Sequence, residues 1–574
     1  MPKMTPSEAL VETLVAERID AVFGIVGSAY MDALDLFPDA GIRFIPVAHE
    51  QAAAHAADGM ARITGRPQAC IGQNGPGAAN FVSAITAAYW AHSPVVAITP
   101  ETGSMGIGTG GFQELDQMPM FERQTVYQVR VNHPQRMAEL ARRAFYMAKN
   151  FNGPTQLNIP RDFFYGQCND EIYPAPVIRR GPGSMADVEA AVRLLSQARY
   201  PVIIAGGGVS RADAVAPVKA LAEYLTAPVV NSYLHNDSFP ASHPLACGPI
   251  GYCGAKAAMR ILAKADVVLA LGTRLGPFGT LPQYDIDYWP HQARLIQCDV
   301  NVGALGLAKR ADVYSCGDVG EFAALLRERL EAAAPRRAAD AERLADVARE
   351  KETWQAELDA WSASDQAKPM HPRRFHQEWT RALPAGAIVT TDIGNNASMI
   401  NAYLRFEGVR RHISALSWGN CGFAYGAALG CKVASPDSAV IAFQGDGAFG
   451  ISGLAEVMTA VRENIPVIAI VACNYEWGAE KKNQIDYYGN RFVGANLPDN
   501  PDFARIARDM GALGITVDHP DQVGDAVREA VASNRPCVIN AILEGGAKVL
   551  AEPFRRDALK MPVRHLDKYK HLNA

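Results

Sequence analysis

The feature that most restricts the fold of this chain is a repeated alternation of short apolar runs with segments of helical periodicity. The runs form three series: "AVFGIVG", "RFIPVA", "QACIGQ" and "PVVAIT"; then "PVIIAGGG", "APVVNSY", "DVVLALG" and "ARLIQCDVN"; and then "AIVTTDIGNN", "AVIAFQGDG", "PVIAIVACN" and "PCVINAIL". Such runs are typical of parallel strands that helices cover on both faces. The sequence therefore predicts an α/β protein built from doubly wound parallel sheets.

The length and the composition of the linkers divide the chain into three such domains. With 574 residues, of which 49% are hydrophobic, it is too long for one core. A Pro/Gly-rich stretch, "PAPVIRRGPGS", and an Ala/Arg/Glu-rich stretch near residue 340 separate the three series. We predict an N-terminal domain over 1–180, a central domain over 186–325, a helical connector over 326–368, a third domain over 369–550 and a C-terminal tail over 551–574.

Charge and cysteine content exclude several classes of function. The formal net charge is −5 and no long block of like charge occurs, so nothing favours binding to nucleic acid or to an anionic membrane. The first helix is acidic and no apolar stretch is long enough to span a bilayer, so we expect a cytoplasmic protein. The ten cysteines show no CxxC pairs and are expected to be core thiols rather than zinc ligands or disulfides.

Two polar side chains follow two apolar runs of the third series. Asp446 ends "AVIAFQGDG" and Asn474 ends "PVIAIVACN", with a helical segment between them. If these runs are neighbouring parallel strands, both residues lie at the same edge of the sheet, where ligands bind. Oxygen ligands of this kind suit Mg²⁺, which completes its coordination with water and phosphate oxygens. A Gly-Asp-Gly tripeptide alone is more often a simple turn, so the spacing to Asn474 carries the argument.

That spacing resembles the cofactor fingerprint of the thiamine diphosphate-dependent enzymes. The fingerprint ends in Asn-Asn, whereas here Cys473 precedes Asn474, and the loop is about one residue longer than the commonest form. The resemblance implies a Mg²⁺ bound by Asp446, Asn474 and the carbonyl of Glu476, with thiamine diphosphate as the cofactor.

A second segment, "VAHEQAAAHAADGMARITGR", resembles the pyrimidine-binding segment of acetohydroxyacid synthases and pyruvate oxidase-like enzymes. It implies that Glu50 hydrogen-bonds the cofactor's pyrimidine and promotes removal of the proton from the thiazolium carbon. Without the resemblance, Glu50 would equally suit a helix N-terminus, where a carboxylate complements the helix dipole.

Further stretches resemble this family in the same order, namely "QNGPGAAN", "TGGFQELDQ", "TTDIGNN" and "SWGNCGFAYG". They imply two sets of site residues. The catalytic candidates are Glu50, His49, Gln113 and Tyr30. The cofactor-binding candidates are Glu50, Asn74, Asp392, Gly394, Asn395, Asn420, Cys421, Gly445, Asp446, Gly447, Ala448, Asn474, Glu476, Trp477 and Gly478.

Several longer stretches, among them "LPQYDIDYWP", "NYEWGAEKKNQ" and "EPFRRDALKMP", resemble the sulfoacetaldehyde acetyltransferase branch of the family. This branch implies conversion of sulfoacetaldehyde and phosphate into acetyl phosphate and sulfite, through an enamine and a 2-acetyl intermediate on the cofactor. Two anions must then be bound in succession. The candidates are Arg555 and Arg556 in the tail and Lys481 and Lys482 beside the metal loop.

Two alternatives stay open at this stage. One is an acetolactate synthase-like lyase that decarboxylates a 2-oxo acid; the other is a non-catalytic regulatory subunit with a degenerate site. The central domain resembles a nucleotide-binding domain, so FAD, ADP or no nucleotide are all compatible with the sequence. The resemblance also implies a homodimer or homotetramer whose active sites are shared between chains.

Overall fold

The computed structural model describes residues 3–334, 338–364, 368–415, 417–545 and 563–573. The described chain forms three six-stranded sheets in which every strand pair is parallel. The predicted fold class, α/β with three parallel-sheet domains, is therefore confirmed.

The first sheet has the strand order β2-β1-β3-β4-β6-β5. Its strands are β1 (Ala21–Gly24), β2 (Arg43–Pro46), β3 (Gln68–Ile71), β4 (Val95–Glu101), β5 (Tyr127–Arg130) and β6 (Thr155–Pro160). The accompanying helices are α1 (Pro6–Ala16), α2 (Met31–Asp35), α3 (Glu50–Thr64), α4 (Pro76–Asn80), α5 (Val82–Trp90), α6 (Met118–Phe121) and α7 (Met137–Phe151).

The central sheet has the order β12-β11-β10-β7-β8-β9. Its strands are β7 (Pro201–Ala205), β8 (Val229–Asn231), β9 (Ala246–Pro249), β10 (Val267–Leu271), β11 (Arg294–Asp299) and β12 (Val313–Cys316). Its helices are α8 (Met185–Gln197), α9 (Gly207–Arg211), α10 (Val215–Leu225), α11 (Lys256–Leu262), α12 (Pro277–Thr280), α13 (Val319–Ala333) and α14 (Ala341–Ser362).

The third sheet has the order β14-β13-β15-β16-β18-β17. Its strands are β13 (Ile388–Thr391), β14 (His412–Ser414), β15 (Val440–Gly445), β16 (Val467–Cys473), β17 (Leu513–Val517) and β18 (Cys537–Ile542). Its helices are α15 (Pro372–Arg381), α16 (Asn395–Met399), α17 (Phe423–Ala434), α18 (Asp446–Ala448), α19 (Leu454–Arg462), α20 (Gly478–Tyr487), α21 (Phe503–Asp509) and α22 (Pro520–Ser533). This order repeats that of the first sheet strand for strand.

The first and third domains share one hydrophobic core. A single cluster of buried side chains runs from Phe23 and Ile45 of the first domain to Val440 and Val467 of the third. The central domain has its own clusters, which include Leu269 and Ile296. The two outer domains therefore form one packed unit, and the central domain is a second unit.

Helices α3 and α17 form the centre of the shared core, and glycines let their backbones touch. A Cβ atom built on Gly430 would lie 1.9 Å from the carbonyl oxygen of Ala56, and one on Gly59 would lie 2.2 Å from that of Ala427. Beside this contact, the guanidinium of Arg62 pairs with Asp58 at 2.6 Å and donates to the carbonyl of Ser414 in the third domain at 2.7 Å. This seam fixes the start of α3 relative to the third domain.

The segment predicted as a helical connector contains the end of α13 and all of α14. Phe322 and Leu326 of α13 lie in the central core, whereas Trp354 and Leu358 of α14 pack on another face of the same domain. Within the described part of the chain, none of the helices is both long enough and apolar enough to be a membrane span.

Candidate active site

The carboxyl ends of β15 and β16 bring Asp446 next to the loop that follows Cys473. The two strands are direct parallel neighbours. The backbone N–H of Tyr475 donates to Asp446 Oδ2 at 2.8 Å, and the N–H of Gly447 donates to Oδ1 at 3.0 Å. The structure thus brings Asp446 and the Asn474 loop together, as the parallel-neighbour argument predicts. Burial raises the pKa of the Asp446 carboxyl above its usual range.

Asn500, which was not identified from the sequence, also hydrogen-bonds the Asp446 carboxylate. Its Nδ2 donates to Asp446 Oδ2 at 2.9 Å, across 54 positions of the chain. Asn500 precedes α21 in a polar loop, where no local pattern indicates which distant carboxylate it contacts.

The loop Asn474–Gly478 is held in place from two sides. Trp477 donates its backbone N–H to the carbonyl of Ala495 at 2.8 Å, and its ring covers Gly447, where a Cβ would lie 2.6 Å from the ring. Asn395 donates its Nδ2 to the carbonyl of Gly478 at 2.9 Å. Asn395 therefore links the loop after β13 to the predicted metal loop.

Two glycines leave open space at this sheet edge. Gly394, with φ at 119°, and Gly445 have no described heavy atom within 4 Å of the position that a Cβ would occupy. A continuous helical segment begins at Asp446, where Gly447 and Ala448 form its first turn, and continues through a π-helical turn at Phe449–Gly453 into α19. Helix N-termini attract phosphate groups.

These residues fit a metal diphosphate. The donor set of one carboxylate, one amide oxygen at Asn474 and the carbonyl of Glu476 consists of the hard oxygens that Mg²⁺ prefers, and the glycines leave room for the phosphates. Within the described ranges, no group of three or more His, Cys, Asp and Glu side chains has the geometry to hold a metal ion, so a metal at this site would be held by the mixed donor set.

Asp392 lies directly after β13, at the strand end where its place in "TTDIGNN" predicts it. Its carboxylate accepts the N–H groups of Gly422 at 3.1 Å and of Ala424 at 3.0 Å, so it caps the start of α17. Burial raises the pKa of this carboxyl to about 6, because desolvation outweighs the hydrogen bonds that favour its charged form.

Asn420 and Cys421 lie at the same helix start, where the first and third domains meet. Asn420 Nδ2 is 3.0 Å from His55 Nε2 of α3. The thiol of Cys421 is partly exposed, and burial, together with the negative charge of Asp392, raises its pKa to about 12. Cys421 is therefore an uncharged thiol at neutral pH.

Glu50 is the first residue of α3 and is buried. Asn80 Nδ2 donates to its Oε2 at 2.9 Å, and Gly77 leaves room for its Oε1, which lies 3.1 Å from the position that a Cβ on Gly77 would take. His49 caps the helix by accepting the N–H of Gln51 at its Nδ1. The Asn80 amide therefore holds one oxygen of the buried Glu50 carboxyl, Oε2, and makes no contact with the other, Oε1.

The remaining candidates of the first domain are Tyr30, Asn74 and Gln113. Tyr30 is buried, its hydroxyl donates to the carbonyl of Ile25, and burial together with the negative charge of Glu50 raises the pKa of this phenol. Asn74 Nδ2 donates to the carbonyl of Gln113 at 3.2 Å. Gln113 has φ at 60°, a left-handed conformation that is unusual for a residue with a side chain.

Two glutamines that the sequence did not single out tie these loops together. Gln73 Nε2 donates to Gln113 Oε1 at 3.0 Å, and Gln117 accepts the N–H of Gly75 at 2.8 Å. Both glutamines lie within the motifs "QNGPGAAN" and "TGGFQELDQ", but the sequence does not indicate which groups they hydrogen-bond.

One helical segment leads from Asp446 to a contact with the backbone beside Glu50. Glu456, on the same helical segment as Asp446, contacts the backbone of His49 next to Glu50, and ten residues of helix extend over about 15 Å. Asp446 and the residue that contacts the turn before Glu50 therefore lie at opposite ends of this stretch of helix.

The predicted anion-binding residues fall into two groups. Lys481 Nζ pairs with Glu476 Oε2 at 2.5 Å and Lys482 Nζ with Asp486 Oδ1 at 2.6 Å, so each charge is neutralised by a carboxylate. Arg555 and Arg556 lie outside the described residues.

Comparisons with known proteins match one enzyme family in all three domains of the chain. The family described as thiamine pyrophosphate enzyme matches through its N-terminal TPP binding domain at residues 4–120, its central domain at 188–326 and its C-terminal TPP binding domain at 392–541.

Three individual proteins show the range of similarity. A sulfoacetaldehyde acetyltransferase of Castellaniella defragrans is 52% identical over 99% of this chain and 97% of its own length. A probable acetolactate synthase large subunit of Methanocaldococcus jannaschii is 32% identical, over 94% of this chain and 92% of its own length. A solved structure, the thiamine diphosphate-dependent 4-hydroxybenzoylformate decarboxylase of Rhodococcus jostii RHA1, has a TM-score of 0.81 at 22% identity and covers 95% of this chain and 100% of its own, which supports the fold.

Proposed function

The chain belongs to the thiamine pyrophosphate enzyme family, and we propose that it is a thiamine diphosphate-dependent acyltransferase that converts sulfoacetaldehyde and phosphate into acetyl phosphate and sulfite. The observation that carries the proposal is the 52% identity, over 99% of the chain, to a protein named for this activity. Identity to a relative named for acetolactate synthesis is only 32%.

The reaction is balanced without an oxidant or reductant. The aldehyde C–H bond and the carbon–sulfur bond of sulfoacetaldehyde break, and the electron pair of the carbon–sulfur bond leaves with sulfite. The carbon that carried the sulfonate gains a proton and becomes a methyl group, while the former aldehyde carbon forms a carbon–oxygen bond to phosphate. The oxidation of one carbon thus matches the reduction of its neighbour, and the proton of hydrogen phosphate leaves on hydrogen sulfite. When bound, thiamine diphosphate supplies the nucleophilic carbon for the aldehyde and accepts the electron pair that forms beside it.

The residues of this chain have separate tasks in that reaction. We assign Asp446, Asn474 and the carbonyl of Glu476 to Mg²⁺, with Gly394 and Gly445 leaving space for the diphosphate. Glu50 is assigned to the pyrimidine, where its carboxyl holds a proton at one oxygen while Asn80 fixes the other.

Tyr30, His49, Asn74 and Gln113 are proposed to surround the reacting carbon beside Glu50. Their side chains and backbone are fixed by the hydrogen bonds described above, so they can orient an aldehyde and exclude water. Arg555 and Arg556 are the first candidates for the sulfonate and the phosphate, because a guanidinium donates paired hydrogen bonds to tetrahedral oxyanions. Lys481 and Lys482 come second, since their carboxylate partners offset their charge.

We further propose that two chains share each site, in a homodimer or homotetramer. The resemblance to this family, in which the pyrimidine end of the cofactor rests on the first domain of one subunit and the diphosphate on the third domain of another, supports a cofactor that bridges Asp446 of one chain and Glu50 of another. The loop that carries Gln113 also presents Met105, 91% exposed, and Phe112, 90% exposed, as expected for a surface that another chain covers.

The activity test uses the purified chain with thiamine diphosphate, Mg²⁺, sulfoacetaldehyde and phosphate. Sulfite is titrated with an aromatic disulfide reagent and acetyl phosphate is measured by ³¹P NMR; the two should appear in equal amounts and both should require phosphate. A parallel reaction with pyruvate tests the second candidate: formation of acetolactate, with no sulfite from sulfoacetaldehyde, would refute the proposal.

The shared site is tested by mixing two inactive variants, Glu50→Gln and Asp446→Ala. If each site takes Glu50 from one chain and Asp446 from the other, each hybrid dimer contains one intact site, and activity should return on mixing. Isolated hybrids that stay inactive would contradict sharing.

A further inference from the structure

Glu456 is a buried carboxylate of the third domain that contacts the first domain immediately before Glu50. It is 0% exposed and lies in α19. Its Oε1 accepts the backbone N–H of His49 at 3.0 Å, its Oε2 accepts that of Ala48 at 3.2 Å, and the hydroxyl of Thr459 donates to Oε2 at 2.7 Å.

The two N–H groups that Glu456 binds have no partner within their own helix. Ala48 and His49 precede α3, and N–H groups at a helix start cannot be satisfied by the helix itself. A carboxylate that accepts two consecutive N–H groups makes charge-assisted hydrogen bonds, which are stronger than neutral ones. Glu456 therefore defines where the backbone stands directly before Glu50.

Other contacts from the same helix hold the strand that leads into this turn. The guanidinium of Arg462 donates to the carbonyl of Pro46, and Arg43 donates to the carbonyl of Glu463 at 2.6 Å. Side chains of both domains thus bind the turn from Pro46 to His49 to α19, so contacts within the first domain are not the only ones that fix its position.

We infer that Glu456 is a positioning residue for Glu50: it sets the distance and angle at which the Glu50 carboxyl meets the pyrimidine, without touching the cofactor. The inference rests on the proposed role of Glu50. It predicts that weakening this contact impairs the proton-transfer task of Glu50 and leaves the metal and diphosphate end of the site intact.

The test compares Glu456→Gln with Glu463→Gln, a control at the C-cap of the same helix. The Glu463 side chain pairs with Arg43 and Arg462 at the surface, and the substitution keeps the backbone carbonyl to which Arg43 donates. The amide that Glu456→Gln introduces presents an N–H₂ group where an acceptor is required, so one of the two backbone contacts is lost. Hydrogen–deuterium exchange at C2 of bound thiamine diphosphate should slow about tenfold or more, as expected when a charge-assisted hydrogen bond is lost. Half-saturation by thiamine diphosphate and Mg²⁺ should stay within about threefold of the parent, well below such a loss.

A second readout needs no cofactor. In the cofactor-free chain, peptides covering residues 44–52 should exchange their amide hydrogens faster in Glu456→Gln than in Glu463→Gln, because one of the two N–H groups, that of Ala48 or that of His49, loses its acceptor. If Glu456→Gln does not fold, Thr459→Val removes only the hydroxyl behind the carboxylate and should produce the same pattern at a smaller size.

Two results would overturn the inference. In the first, C2 exchange proceeds at the parental rate in Glu456→Gln, or in Thr459→Val where that variant replaces it, while Glu50→Gln slows it. In the second, C2 exchange, cofactor affinity and melting temperature all fall together, which indicates a general structural role. Parental C2 exchange in Glu50→Gln itself would instead remove the proposed role of Glu50, and with it this inference.

Discussion

The contact between α3 and α17 makes a quantitative prediction about one methyl group. Gly430→Ala would place a Cβ 1.9 Å from the carbonyl oxygen of Ala56, well below the 3.0 Å that real Cβ contacts keep. The neighbour is backbone and cannot rotate away, so the helices must separate by more than 1 Å. Overpacking of this kind costs about 1–3 kcal/mol, and more when the backbone must move.

A second glycine provides the control for helix propensity. Gly524 lies inside α22, and its Cβ would meet only the flexible guanidinium of Arg528 at 3.2 Å. Gly→Ala in a helix interior stabilises by about 0.5–1 kcal/mol where space allows. Since both variants share this gain, the difference between them isolates the packing penalty, and Gly430→Ala should be less stable than Gly524→Ala by about 1–3 kcal/mol, or more where the backbone must move.

The assay is urea unfolding of the full chain, with amide hydrogen exchange of peptides from α3 and α17 as the local probe. The urea concentration at which the amides of both helices lose half of their protection from exchange should be lower in Gly430→Ala than in the parent. In Gly524→Ala it should equal or exceed that of the parent. Equal midpoints in the two variants would show that the helices do not touch backbone to backbone, and would refute the reasoning about the seam.

Three further predictions concern the site. Asp446→Ala should weaken the binding of Mg²⁺ and of thiamine diphosphate together. Asn500→Ala should raise the Mg²⁺ concentration needed for half-saturation about tenfold, because residues that orient a metal ligand typically contribute that much to metal affinity. Titration of cofactor binding by intrinsic fluorescence measures both effects, and an unchanged Mg²⁺ requirement would contradict them. Burial raises the pKa of Asp392 to about 6 in the folded protein, whereas the same carboxyl ionises near pH 4 in the unfolded chain. Between these two pH values the folded state keeps the proton that the unfolded state has lost. The contribution of Asp392 to stability is therefore full below pH 4 and declines by about 3 kcal/mol as the pH rises to 6. The difference in unfolding free energy between the parent and Asp392→Asn should change across that window, and a constant difference would argue against it. Arg555→Ala or Arg556→Ala should raise the KM for phosphate, sulfoacetaldehyde or both by about 10- to 150-fold with little change in cofactor affinity, and parental kinetics in both would place the anion site elsewhere.

The sequence predicts some parts of this site well because they depend on sheet geometry. Asp446 and Asn474 each follow an apolar run, and once the runs are parallel neighbours their ends must meet at one edge. The three α/β domains follow from the same pattern. The position of Glu50 at a helix start is likewise visible from the polar residues that precede the alanine-rich segment.

Contacts between distant segments could not be predicted in this way. Glu456 binds Ala48 and His49 from 408 and 407 positions away, and a glutamate in an amphipathic helix has no local feature that indicates such a partner. Asp392 shows the same limit: its strand-end position is the one predicted, and its hydrogen bonds to the start of α17 have no local signal in the sequence. That outcome depends on where α17 docks, which is a property of the whole fold.

The shared core of the two outer domains has a consequence for synthesis on the ribosome. The first sheet is complete at Pro160, but the strand that completes the third sheet ends at Ile542, and at about 5–20 residues per second the ribosome needs about 20–75 s to make the intervening chain. During that interval, the apolar face of α3 that α17 later covers is exposed to solvent or to a chaperone. An N-terminal fragment that ends before α17 should therefore aggregate when it is expressed alone, whereas the central domain, which has its own core, can fold while synthesis continues.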